Sequence, residues 1–199
     1  NNDICDFVNG SWSPAYPMSN IWSSSYKAIQ ICNQYLAEFQ GLTFDELKLN
    51  DDYRAQMFRY TNSFKEARFL RAYFYFNLVR AYGDVPYFTE MVTTDQVNSL
   101  TRTPAQEIFN AIIAECDKLS TELPADYTKL GLDGIAPAEN GRVTCYAALA
   151  LKARAALYAA SPLFNPENNK DLWRRAAEAN KEVIETCTAN GFKLSKYSE

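Results

Sequence analysis

Apolar residues recur along this chain with a helical period, most densely between Phe64 and Gly83. Placed at about 100° per residue, Ala67, Leu70, Phe74, Leu78 and Ala81 share one arc of that stretch, and Phe69, Ala72, Phe76 and Val79 share the opposite arc. Arg68, Arg71 and Tyr75 fill one seam between them, and Glu66, Tyr73, Asn77 and Arg80 fill the other. A helix lying on a single core needs one apolar stripe. Two opposed stripes predict neighbours on both sides, as in a stacked helical array. Ser63 and Glu66 have the S-x-x-E spacing of a capping box and set the expected start. The turn Gly83-Asp84-Val85-Pro86 sets the end.

Four more helices follow from the same reading. One is expected from Ser19 or Asn20 to Phe39, closed by Gly41, with Trp22, Tyr26, Ile29, Ile31, Cys32 and Tyr35 in its apolar arc. Asn33 falls inside that arc, and a buried amide needs partners, so it is expected to tie down a neighbouring backbone. Thr103-Pro104-Ala105-Gln106 reads as a threonine cap, a first-position proline and a capping-box glutamine. The helix it opens, with Ile108, Ile112, Cys116 and Leu119 as its stripe, ends before Pro124. From Arg142 or Val143 to Ala160 the sequence is alanine-rich, as suits an inner helix that neighbours approach closely. The last helix runs from Asp171 to Asn190-Gly191, with Trp173, Ala176, Ala177, Val183, Ile184 and Cys187 on its apolar side. Loops are expected at 40–61, 84–102 and 124–141, and residues 1–18 read as irregular chain rich in aromatics. The fold class is therefore all-α, an irregular tetratricopeptide-like series of helical repeats with long inserted loops, in a single domain over 1–199.

Composition narrows the chemistry. The chain has 199 residues, 47% apolar and 22% charged, which is ordinary for one globular core. Its net charge of −4 disfavours a nucleic-acid partner. Thirteen Tyr, 12 Phe and 3 Trp make it 14% aromatic, useful in a core and equally for stacking on a ligand. Histidine is absent, which removes Ser-His-Asp and Cys-His machinery and imidazole-based zinc sites. Paired carboxylates remain, yet the acidic cluster of Asp45, Glu46, Asp51 and Asp52 reads as a solvated face. Arg68, Arg71 and Arg80 are expected to pair with carboxylates or helix ends rather than hold an anion. Of the five cysteines, Cys32, Cys116, Cys145 and Cys187 lie in helical patterns and read as small buried apolar residues, and the odd count leaves one thiol unpaired. The apolar run at 147–151 is broken by Lys152 and Arg154, so no spanning segment is expected. Nothing in these patterns implies a cofactor, a metal or an enzyme.

The segment EARFLRAYFYFNLVRAYGDVPYFTE, Glu66 to Glu90, resembles the signature of the SusD/RagB family of nutrient-binding outer-membrane lipoproteins. WSSSYKAIQICNQYL at 22–36, Arg102-Thr103-Pro104 with EIFNAIIAE, and GRVTCYAALALKARAALYAASPLFN at 141–165 extend the resemblance in the family's order. It implies a cell-surface, non-catalytic protein that binds oligosaccharides, or sometimes peptides, and delivers them to a SusC-like TonB-dependent transporter. It also implies membrane association through a lipid anchor, which is not expected at Cys5 because NNDICDF is not a lipobox context. About the first half of a typical member is expected to be covered. Ligand contacts are expected from aromatics in irregular chain, Trp12 and Tyr16 first and Tyr87 after them, because a flat ring matches the C–H face of a sugar. A helical-repeat scaffold that grips a peptide or the transporter is the alternative.

Overall fold

A computed structural model describes residues 8–10, 13, 21–132, 139 and 141–194. Trp12, Tyr16 and Cys5 lie outside these described residues. Six α-helices follow one another between 21 and 194: α1 (Trp22–Glu38), α2 (Tyr53–Tyr82), α3 (Thr94–Ser99), α4 (Ala105–Glu122), α5 (Cys145–Ala160) and α6 (Lys170–Ala189). Short 3-10 turns at Asp45–Leu47 and Tyr127–Lys129 interrupt two connections. Successive long helices pack in order, α1 on α2, α2 on α4, α4 on α5 and α5 on α6. The architecture is the expected all-α, tetratricopeptide-like array, with no strand among the described residues; Val85 and Thr103 form an isolated antiparallel bridge.

Helix α2 is 30 residues long and starts ten residues before Ser63. The sequence signal at Ser63 is a false start: its hydroxyl donates to Tyr60 O at 2.6 Å and meets the Tyr35 hydroxyl at 2.5 Å. That is back-bonding inside a helix, which serine does as readily as capping. The C-terminus is as expected. Gly83 has φ 71°, and its N–H closes on Val79 O. That left-handed conformation suits glycine where a helix stops.

The central helix does have two neighbours, but its two buried faces are not opposed. Phe64, Arg71, Tyr75 and Tyr82 turn to α1, through the ring pairs Tyr35–Phe64, Tyr26–Tyr75 and Trp22–Tyr82 and the bond from Arg71 to Asn33. Lys65, Arg68 and Phe76 turn to α4, where Phe76 meets Phe109 and Arg68 bonds Glu115 and Glu122, each at 2.6 Å. The faces are about 100° apart. Leu70 and Tyr73, each 41% exposed, lie outside both. Tyr75, from a seam that read as polar, is 1% exposed. Arg80 sits over the Phe76 ring, 5.8 Å from its centroid, rather than beside a carboxylate.

The segment from 84 to 104 is a strap laid across α1 and α2. The Tyr75 hydroxyl donates to Phe88 O at 2.7 Å and accepts from Phe88 N at 2.9 Å. Tyr26 donates to Pro86 O, Asn33 to Glu90 O and Arg71 to Thr89 O, at 2.7, 2.9 and 2.7 Å. Asn33 thus ties down backbone as expected. The strap closes where Thr103 N donates to Val85 O, and α3 forms within it under a capping box of Thr93 and Gln96. The start of α4 is built differently from its motif. Pro104 is the N-cap, and Asp84 Oδ1 accepts from Ala105 N at 2.8 Å, capping the helix from 21 residues away. Gln106 reaches forward, donating to Ala159 O and Phe164 O at the end of α5.

The alanines of α5 let both neighbours come close. Ala155 and Ala159 belong to the main core with Phe76, Phe109 and Ile112, and Ala153, Ala156 and Ala160 meet Ala176 and Ala179 of α6. The buried side of α6 is narrower than its sequence suggests. Ala176 and Ala179 are buried and Val183 is half-buried, while Trp173 and Ile184, at 39% and 66%, face out.

Candidate functional site

A concavity of about 630 Å³ opens where the connection after α1 meets the N-terminal half of α2. Phe44, Tyr53 and Tyr60 line it as rings, with Asn50, Asp52, Gln56, Arg59 and Arg142 supplying polar groups. Two of the rings are fixed. Phe44 meets Tyr60 edge-on at 5.3 Å, and Tyr60 meets Phe64 at 5.1 Å. The Tyr60 hydroxyl donates to Phe39 O at 2.6 Å and accepts from Leu42 N at 3.0 Å, which anchors the connection to α2. Tyr53 and Asn50 differ: among the described residues neither side chain makes a hydrogen bond, and both line the opening. Gln56 donates to Asp52 at 3.0 Å, leaving the second carboxylate oxygen for another donor. An aromatic face beside amide and carboxylate groups is the combination that grips a polyhydroxylated ring.

A polar network stiffens the wall behind the opening. Glu66 Oε1 accepts from Asn62 Nδ2 at 2.9 Å and from the Tyr127 hydroxyl at 3.1 Å, and Oε2 accepts from Arg142 Nη1 at 2.6 Å. Glu139 joins Arg142 to Arg59, accepting from Arg59 Nε at 2.7 Å and pairing with Arg142 Nε. Both guanidinium groups in the opening are therefore held by carboxylates, so no unpaired cation is offered to an anionic ligand. Burial pushes the Tyr127 hydroxyl up to about 12, and the Glu66 charge adds to the shift, so Tyr127 stays a neutral donor.

Burial by itself would raise the Glu139 carboxyl. The Arg59 hydrogen bond and the charges of Arg142 and Arg59 outweigh it and hold the group below the usual carboxylate range. A carboxyl depressed in the folded state stabilises above its unfolded pKa, about 4.3, and that contribution is lost as pH falls through the lower folded value. The melting-temperature difference between wild type and Glu139→Gln is expected to hold steady above about pH 5 and to shrink below it. A difference that stayed constant down to pH 3 would show that Glu139 carries no such charge.

Tyr87 stands elsewhere. Its ring lies 4.6 Å from that of Tyr75, half-buried, and lines a separate opening of about 220 Å³ with Arg68, Arg71 and Glu115. A third concavity, about 490 Å³ between α1 and the strap, is lined by Trp22, Tyr26, Phe88, Val97 and Leu100, with Lys27 and Gln30 at its polar side. The structure thus does not bring Tyr87 to the aromatic opening, and Trp12 and Tyr16 lie outside the described residues. Phe44, Asn50, Tyr53 and Tyr60 escaped the sequence reading, in which 42–60 is a mixed, charged stretch with at most a short helix leading into the central one; residues from Tyr53 are in fact the start of α2. The available signal was the Phe44, Tyr53, Tyr60 series bracketing Asn50 and Asp52. Arg142, 83 residues beyond Arg59, had none.

An irregular helical array with an aromatic opening at one edge is the class of protein that these features define. Residues 2–157 match the SusD-like family model described as "Starch-binding associating with outer membrane", and the chain belongs to that family. It is 29% identical to SusD-like protein P2 of Formosa agariphila over 108 residues, covering 54% of this chain and 19% of that one. Among solved structures it is similar to a SusD-like carbohydrate-binding protein from Bacteroides fragilis, at 26% identity and TM-score 0.61, over 83% of this chain and 26% of that one. A laminarin-binding SusD-like protein matches at 25% identity and TM-score 0.62, over 92% and 33%. The chain thus spans a fifth to a third of these relatives, less than the half expected from its sequence.

Proposed function

We propose that this chain is the helical part of a non-catalytic, cell-surface glycan-binding protein, and that the aromatic opening at the start of α2 takes part in holding an oligosaccharide. The longer protein would sit at the outer membrane through a lipid anchor and pass its ligand to a SusC-like TonB-dependent transporter. The observation that carries this reading is the pairing, in one opening, of the Tyr53 ring with the unpartnered Asn50 amide and a half-used Asp52 carboxylate. The family's description as starch-binding and the laminarin-binding relative support a neutral glycan, as do the neutralised arginines. Trp12 and Tyr16 remain proposed contacts ahead of Tyr87.

The test is a glycan panel titrated calorimetrically against the full-length parent and against this chain. Tyr53→Ala combined with Asn50→Ala is expected to weaken the best ligand on the order of tenfold, the loss of one stacked ring and one amide contact. Trp12→Ala with Tyr16→Ala probes the N-terminal segment in the same way. Unchanged affinity in both double variants places the glycan elsewhere. The apolar concavity between α1 and the strap favours a second reading, an interaction surface for a peptide or for the transporter. Recovery of the transporter with full-length protein, independent of any glycan, would support it.

A further inference from the structure

Four cysteines fall among the described residues, and they are not alike. Cys32 and Cys116 are buried in the core, the latter with its thiol pushed up to about 12 by burial, the Glu115 charge adding to it. Cys145 and Cys187 are only partly buried. Cys145 is the first residue of α5, and Cys187 lies in the last turn of α6.

The register of this antiparallel pair brings the two cysteines to the same level. Lys152 Nζ bonds Glu182 at 2.7 Å, and Asn180 Nδ2 bonds Ala153 O at 3.4 Å. The residue numbers of these pairs sum to 334 and 333, and antiparallel partners hold a near-constant sum. Cys145 and Cys187 sum to 332, so the same register carries them together at the open end of the hairpin. Beside them the ring of Phe192, past the end of α6, meets that of Tyr146 at 4.8 Å. Around α6 the 100° step puts Cys187 on the Ala176, Ala179 and Val183 side, toward α5. Burial raises the Cys145 thiol, and the charge of the neighbouring Cys187 adds a smaller push in the same direction.

We propose that Cys145 and Cys187 form a disulfide that staples the open end of the α5–α6 hairpin under oxidising conditions. The reaction consumes one disulfide-bearing oxidant, such as oxidised glutathione or a thiol–disulfide oxidoreductase. One cysteine thiolate attacks the oxidant's S–S bond, forming a mixed disulfide and expelling one oxidant thiolate. The second cysteine thiolate then attacks the protein sulfur of that mixed disulfide and expels the other. The protein loses two electrons and two protons, and the oxidant is recovered as two thiols. A staple here closes a loop of about 40 residues and joins helices whose contact is mostly alanine, so it restricts the unfolded chain strongly. The inference is independent of the glycan reading.

The test treats the whole chain with oxidised glutathione, blocks remaining thiols with N-ethylmaleimide and maps the linked peptides by mass spectrometry. The expected result is a 145–187 link in wild type and in a Cys32→Ser/Cys116→Ser variant. The oxidised protein should melt about 5–10 °C above the reduced protein. Cys145→Ser and Cys187→Ser should each abolish both the link and the oxidation-dependent rise. Glutathione adducts on both thiols without a link, a link through Cys5, or a link with no rise in melting temperature would each overturn the staple. Peptide mapping reads the linkage directly, so the result stands even where a variant folds poorly.

Discussion

Phe76→Ala is expected to cost about 3–5 kcal/mol in urea denaturation, the largest effect of any single truncation considered. The ring is fully buried and lies where three helices converge, 6.5 Å from Phe109 on α4 and 5.3 Å from Tyr158 on α5. Its neighbours are held by other contacts and cannot collapse into the space, so the cavity term adds to the lost transfer energy. The Arg80 and Arg154 guanidiniums over its face, at 5.8 and 5.5 Å, lose their aromatic partner too. Leu70→Ala is the control. Leu70 shares the same helix and a sequence arc of equal apolar content, yet it is 41% exposed, and its truncation should stay within about 1 kcal/mol. Equal costs for the two would contradict the placement of α2's buried faces.

The second large effect is expected at Glu66. Glu66→Ala removes the acceptor for Asn62, Tyr127 and Arg142 at once. It leaves a buried amide and a half-buried guanidinium with fewer partners, a loss of about 2–4 kcal/mol. Asn62 is especially exposed to this change, because its Oδ1 already has no partner among the described residues. A double-mutant cycle with Arg142→Ala separates the pair from the rest, and a coupling energy of about 1–2 kcal/mol is expected. A cycle that closed to zero would show the contact to be incidental. Because Arg142 also lines the aromatic opening, glycan titration of Glu66→Ala tells whether the wall must be stiff for the ligand to bind.

What was legible in the sequence follows the range of the forces involved. The helices and their stacking order come from local periodicity, and the end of α2 comes from a glycine that only a left-handed residue could replace. Capping motifs were less dependable. Ser63 and Gln106 have the right neighbours for a box, but their side chains found partners one turn back or 53 residues away. Tyr75 fell in a seam by its angle between the two apolar arcs, while in the structure the ring is buried and the strap's own backbone satisfies its hydroxyl. The aromatic opening stayed hidden for a related reason. Its rings come from a connection and the weakly patterned first third of α2, and its wall is completed by Arg142 from far along the chain. The last helix shows the converse: Trp173 and Ile184 have the pattern of a buried face and stand in the open.

The strap has one more consequence, for where this molecule can change shape. Four side chains from α1 and α2 hold its backbone between Pro86 and Glu90. Rolling α2 about its axis would break these bonds along with the core. The two helices and the strap therefore travel as one rigid plate. The connection from 39 to 52 is fastened to α2 at fewer points, by the Tyr60 hydroxyl, the Phe44–Tyr60 ring contact and the Gln56–Asp52 bond. If the proposed oligosaccharide site is correct, adjustment around the ligand is expected in that connection rather than in the plate, which hydrogen exchange with and without glycan would test.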